Sequence, residues 1–288
     1  TTFFIHGFYP DSINSVVPGG WSIAVGCAIG SGIYMMPTLL APYGLLGLGG
    51  WLIAGAGSIL VALTMSRLVR RIPQTGGPYV YASKGLGHFA GFIIAWTYWI
   101  ACIAAVAGIS IAFVGYLGFF MPAITSSAIL SLITSLSLVW LIVILNIHSI
   151  EGSARFQVIS TLLKLLPLMF IIFLGFSNFN VANLPEYNPT DANPFVLLGT
   201  VTTLVMWSFV GLETATVPAD NMAEPDKMIP RILIASVFTV LVIYFLVSLA
   251  IALVVPAEEL IGSTAPFAVA AMKIMGPVGG AVITIGAL

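Results

Sequence analysis

Apolar residues in this chain neither alternate nor recur as a one-sided stripe. They run in long unbroken stretches separated by short polar turns. Crossing the hydrocarbon layer of a bilayer takes about 20 mostly apolar helical residues. Seven stretches meet that length, at 18–42, 47–68, 89–120, 126–147, 156–177, 195–219 and 232–255. An eighth begins near Gly276 and is still running at Leu288, too short to cross. The expectation is an all-α membrane protein, here a fragment of about seven and a half spans. Residues 1–17 hold no Lys or Arg ahead of the first apolar run, so they read as an N-terminal cytoplasmic segment and not as a signal peptide.

The charges sharpen this picture. Of nine Lys and Arg, Arg67, Arg70, Arg71, Lys84, Arg155, Lys227 and Arg231 follow spans two, four and six. The loops after spans one, three and five contain none. By the positive-inside rule the even-numbered loops and the N-terminus lie in the cytoplasm, which predicts a multi-pass protein of the cytoplasmic (inner) membrane. The composition agrees: 59% of the 288 residues are apolar, 7% are charged, and mean hydropathy is +1.11. A water-facing domain carries about 25% charge. An ordinary cytosolic enzyme, a disordered chain and a basic nucleic-acid binder are therefore excluded. Cys27 and Cys102 sit inside apolar runs and indicate neither a disulfide framework nor a metal cluster.

Two spans carry interruptions that a plain anchor does not need. Span one contains Gly26-Cys27-Ala28-Ile29-Gly30-Ser31-Gly32-Ile33-Tyr34, followed by Pro37. Span six contains Trp207-Ser208-Phe209-Val210-Gly211-Leu212-Glu213, followed by Pro218. Small residues can simply favour helix packing in membranes. The alternative is an unwound stretch, tolerated at membrane depth only where it lines a cavity or is buried in protein. The two interruptions are five spans apart, so their helices run in opposite directions. Paired breaks of this kind point to a transporter binding site.

The motifs Gly30-Ser31-Gly32-Ile33-Tyr34, Gly76-Gly77-Pro78-Tyr79-Val80-Tyr81, Trp207–Glu213 and Glu224-Pro225-Asp226-Lys227-Met228-Ile229-Pro230-Arg231 occur in this order. Together they resemble the amino acid–polyamine–organocation transporters. Within that superfamily the chain is most similar to the basic amino acid and polyamine antiporters, which include an arginine–agmatine exchanger. The resemblance implies a leucine-transporter-type fold of two inverted five-span repeats with discontinuous spans one and six. Residues 18–177 would form the first repeat, and 195–288 the start of the second. It also implies a substrate whose carboxylate rests on Gly30, Ser31 and Gly32. The substrate ammonium would meet carbonyls of Ala28, Trp207 and Val210, with Trp207 as a cover. Ile29, Ser208 and Gly211 complete the two breaks, and Tyr98, Ala101 and Cys102 would border the substrate side chain. Cys27 and Val106 depart from asparagines of the arginine exchanger. Valine neither donates nor accepts a hydrogen bond, which turns the expectation toward a less polar amino acid.

Glu213 and Lys164 lie within apolar spans, where ionisable groups are costly and functional by default. Burial disfavours both charged forms, so each is a candidate for proton coupling or pH sensing. Each also has a structural alternative: Glu213 as a hydrogen-bonded carboxylate at the break, Lys164 as an ammonium held by span-one carbonyls. His88 and His148 read as interfacial residues. Trp96, Tyr98 and Trp99 read as lipid-facing or packing groups, although Tyr98 shares a helix face with Ala101 and Cys102. Phosphate loops, metal-ligand clusters and nucleophile elbows are absent. The expected function is secondary transport of amino acids, as an amino acid/amine antiporter or alternatively a proton-coupled symporter. No cofactor and no enzymatic activity are expected. The partners expected are an amino acid or amine, protons and the lipid bilayer, not nucleic acid, with a homodimer left open.

Overall fold

The computed structural model describes residues 24–26, 28–72, 74, 76–148, 150–212 and 225–287, with only the backbone described at 31, 145, 146, 148, 150–162, 225 and 226. These residues form helices and no strand. The stretches Gly32–Arg71, His88–Leu117 and Lys227–Val254 are long and apolar enough to cross a membrane. Ala128–His148 and Ile150–Ser177 add helices of 21 and 28 residues. The protein is an all-α, multi-pass membrane protein. The segment 1–17, the start of span one and the far part of span six fall outside the described residues.

Both expected interruptions are present. Span one is helical at 24–26 and 28, bends at Ile29 and Gly30, and resumes as Ser31–Leu40. Gly30 is extended there, with φ −108° and ψ −170°. Span six runs as Pro194–Met206 and tightens into a 3₁₀ turn at Trp207–Phe209. It then departs from helix at Val210, ψ 137°. Gly211 follows with φ 110°, a backbone conformation that side chains with a Cβ resist. The helices of these spans stop because their own residues leave the helical region, not because the apolar run ends.

Span eight differs in one respect. A helix already begins at Pro266, ten residues before the expected start, and Gly276 interrupts it with φ 70° and ψ −164°. The sequence 266–275 is apolar and helix-forming but too short to cross, so a count based on span length passes over it. The part that follows the kink is the stretch expected to open span eight.

The core gathers where spans one, two, five, six and seven meet. Ile29, Ile33, Trp51, Val201, Val205, Val240, Tyr244, Val247, Leu168 and Ile171 are almost fully buried. Close packing needs the glycines of span two. A Cβ on Gly50 would lie 2.3 Å from Val201 Cγ1, and one on Gly55 would lie 2.5 Å from the Leu241 methyl groups. Span three is much more exposed, with Phe92, Trp96 and Trp99 stacked on its outer surface.

The turns after the odd-numbered spans collect at one end. Leu45 N–H donates to the Glu186 carbonyl at 2.9 Å. Asn183 donates to the carbonyls of Leu253 and Val254, and Thr38 to that of Ser263 at 2.9 Å. This is the up-and-down alternation that the charge pattern requires.

Gly50→Val is expected to destabilise the protein by about 1–3 kcal/mol through overpacking against Val201. Gly57→Val, where an added Cβ meets nothing within 4 Å, should stay within about 0.5 kcal/mol. Thermal unfolding in detergent measures both, and equal shifts would refute the packing argument.

Candidate functional site

The break in span one removes carbonyls from their helical partners inside an apolar layer, where an unmatched polar group is costly. Two of them, on Gly26 and Ala28, acquire a side-chain donor from another span. The Lys164 ammonium of span five donates to the Gly26 carbonyl. The Ala28 carbonyl accepts Gly30 N–H at 2.9 Å and the Tyr244 hydroxyl of span seven at 2.8 Å. The structural alternative for Lys164, an ammonium held by broken-helix carbonyls, is therefore what the structure contains.

Two further hydroxyls continue this arrangement. Tyr116 of span three donates to the Tyr34 carbonyl at 2.8 Å, and Tyr34 donates to the Lys164 carbonyl at 2.6 Å. Both acceptors lie three residues before a proline, Pro37 and Pro167. A proline cannot donate to the preceding turn and kinks it, which turns carbonyls outward. Tyr34 and Tyr116 pack edge to face with ring centroids 5.8 Å apart. Spans one, three, five and seven are thus joined by hydrogen bonds around the break.

On the other side of the break, Ser31, Gly32 and Ile33 open a helix that no side chain caps. First-turn amides of this kind have no intrahelical partner, and the helix dipole favours an anion beside them. Among the described residues, Gly30 meets nothing within 4 Å where its Cβ would be. A Cβ on Gly32 would lie 3.5 Å from Trp207 Cζ3 and 3.8 Å from Ser208 Oγ. The structure therefore brings the two breaks together. Ser208 is 4% exposed, and its hydroxyl has no hydrogen-bond partner among the described residues. Trp207 is 39% exposed.

Three carbonyls are expected to meet an ammonium, and two of them are already engaged. Ala28 accepts the bonds above, and Trp207 accepts Val210 N–H at 3.1 Å. Tyr98 and Cys102 are half-buried and Ala101 is exposed on span three. This helix meets Trp207 further along, at Gly108. Cys27 and Glu213 lie outside the described residues. Tyr244, Tyr116 and Gly108 carry the geometry but were not singled out from sequence, and Tyr34 was read there only as part of the Gly30–Tyr34 motif. The signal for Gly108 was the run Ala101, Ala105, Gly108, Ala112 and Gly115, which keeps one face of span three small. The tyrosines offered none, since their hydroxyls reach carbonyls 82 to 216 residues away.

The amino acid permease family model matches residues 21–288. The chain belongs to this family. Among its relatives is the putrescine transporter PotE of Haemophilus influenzae, 29% identical over 84% of this permease chain and 56% of that protein. A cadaverine/lysine antiporter of Escherichia coli is 27% identical over 88% of this chain and 57% of its own length. An arginine/ornithine antiporter of Latilactobacillus sakei is 27% identical over 79% and 50%. The permease chain thus spans about half the length of these curated relatives.

Tyr244→Phe should destabilise the permease by about 1–2 kcal/mol, since it withdraws a donor from the Ala28 carbonyl and leaves the ring in its tilted contact with Trp51. Tyr187→Phe, at an exposed loop position, should have no measurable effect. Unfolding temperatures of the two variants in detergent test this directly; a Tyr244→Phe protein as stable as wild type would show that the bond contributes nothing.

Proposed function

We propose that the complete protein is a secondary active transporter that exchanges an amino acid for a related amine or amino acid by alternating access. One observation carries this reading. The interrupted segments of spans one and six meet, with the Trp207 indole against Gly32 beside uncapped helix amides. A carboxylate suits those amides, an ammonium suits the carbonyls at the breaks, and the Trp207 ring covers them. The substrates named for the relatives, putrescine with arginine and ornithine or cadaverine and lysine, make cationic amino acids and diamines the first ligands to try. The protein acts as a carrier and not as an enzyme, in the cytoplasmic membrane with its N-terminus inside. Residues 18–177 act as the first repeat and 195–288 as the opening of its inverted partner. Ala28, Ile29, Gly30, Ser31, Gly32, Trp207, Ser208, Val210 and Gly211 line the substrate, with Tyr98, Ala101 and Cys102 toward its side chain. Glu213 serves as the pH-responsive carboxyl.

A second reading, proton-coupled symport, is favoured by the Lys164 ammonium on the Gly26 carbonyl. If that ammonium gives up its proton in one conformation, its grip on span one loosens in step with transport.

Trp207→Ala is expected to weaken binding of a cationic substrate about tenfold, within the range of a desolvated cation–π contact. Gly32→Trp should abolish binding in a protein that remains monodisperse, because bulk there excludes the carboxylate. Unchanged titrations for both variants of the complete protein would sink the site. Lys164→Ala separates the two coupling modes in proteoliposomes. Loss of pH-driven uptake with exchange retained marks the lysine as carrier. Uptake that still follows the gradient at the wild-type rate removes it from that role.

A further inference from the structure

We propose that Gly108 is a positioning residue for Trp207, and that the absence of a side chain there fixes how closely the indole approaches span one. The inference rests on the transporter reading for its consequence, but its geometry is independent of it. The outer rim of the six-membered ring of Trp207 touches two bare backbones. Its Cζ3 and Cε3 atoms are 3.5 and 3.6 Å from where a Gly32 Cβ would be. The next two atoms of the rim, Cη2 and Cζ2, are 3.4 Å or less from where a Gly108 Cβ would be. The ring thus meets spans one and three at once, each at a glycine.

The two seats differ in origin. Gly32 belongs to the break itself, whereas Gly108 is in the middle of an unbroken helix, His88–Leu117. Glycine costs about 1 kcal/mol relative to alanine in a helix interior, so local structure gives no reason for it. Packing against backbone does not explain it either. A Cβ on Gly115 of the same helix would lie 2.9 Å from the Thr264 carbonyl. At Gly108, among the described residues, the atoms within 4 Å of the Cβ position both belong to the Trp207 side chain. Its clearance therefore serves that ring.

The consequence follows from which group can move. Trp207 is 39% exposed, so it is the less tightly held of the two partners. A methyl group at position 108 forces a shift of a few tenths of an ångström. A leucine there leaves the ring no room and displaces it from Gly32, while span three keeps its helix. Residue 108 thereby sets the height of the space above Gly30, Ser31 and Gly32, and with it the size of substrate that the ring can cover.

The test uses the complete protein labelled with fluorotryptophan. Fluorine NMR identifies the Trp207 resonance by its loss in Trp207→Phe. Gly108→Leu should move that resonance strongly and Gly108→Ala slightly, with the fully buried Trp51 unmoved as a control for the fold. Binding of arginine, ornithine and putrescine is then titrated in a double-mutant cycle. Gly108→Leu should weaken binding about tenfold beside Trp207 and far less in a Trp207→Ala background, as expected for groups in contact. A Trp207 resonance unmoved by leucine, or an equal loss in both backgrounds, overturns the proposal. If none of the ligands binds the wild type, the cationic substrate class fails, and the NMR comparison still decides the contact.

Discussion

A carbonyl released from its helix inside an apolar layer must find another donor, and this structure is organised around meeting that demand. The break at Ile29 and Gly30 exposes backbone where water cannot serve it. An ammonium and a hydroxyl supply the donors, from Lys164 and Tyr244, and Tyr116 and Tyr34 extend the linkage through carbonyls near two proline kinks. A break held in this way is a defined element with fixed geometry. Because Lys164, Tyr244 and Tyr116 donate from other spans, the shape of span one depends on where spans three, five and seven are placed. Movement of any of them alters the hydrogen bonding of the break, which is a physical route from helix motion to site geometry.

The donors can reach only because the helices lie close together. Gly50 and Gly55 bring spans six and seven against span two, and a Cβ on Gly175 would lie 2.8 Å from that of Ala250, between spans five and seven. Glycine at these positions lowers helix propensity and gains van der Waals contact, the main source of helix association in lipid. Gly30 and Gly211 act differently. Gly211 takes a positive φ and so serves backbone shape, whereas Gly30 is extended and a Cβ there would meet no described atom within 4 Å. Gly32 and Gly108 form a third class, leaving room for one aromatic side chain. The 29 glycines of the chain are thus not a single signal.

Much of the architecture was legible in the residues alone. Apolar run lengths located the spans, and the alternation of Arg and Lys fixed their up-and-down order, now seen in the contacts among Leu45, Glu186, Asn183 and Leu253. The two breaks were legible because glycine and short polar residues interrupt sequences that otherwise have every reason to remain helical. The helix from Pro266 was missed because run length detects crossings, not short helices that end at a kinked glycine. Lys164 could be picked out as an anomaly, but its acceptor, Gly26, lies 138 residues away.

By itself the sequence determined what is local and additive: the membrane as solvent, the alternation of the spans, and the places where a helix cannot continue. These follow from the transfer energy of successive residues and from backbone preferences, which act over one or two turns. Tertiary structure decided which donor meets which carbonyl, and that the Trp207 ring rests against both Gly32 and Gly108. Such pairings depend on helix rotation and approach, which are set by packing many side chains at once. No short window of residues contains that information.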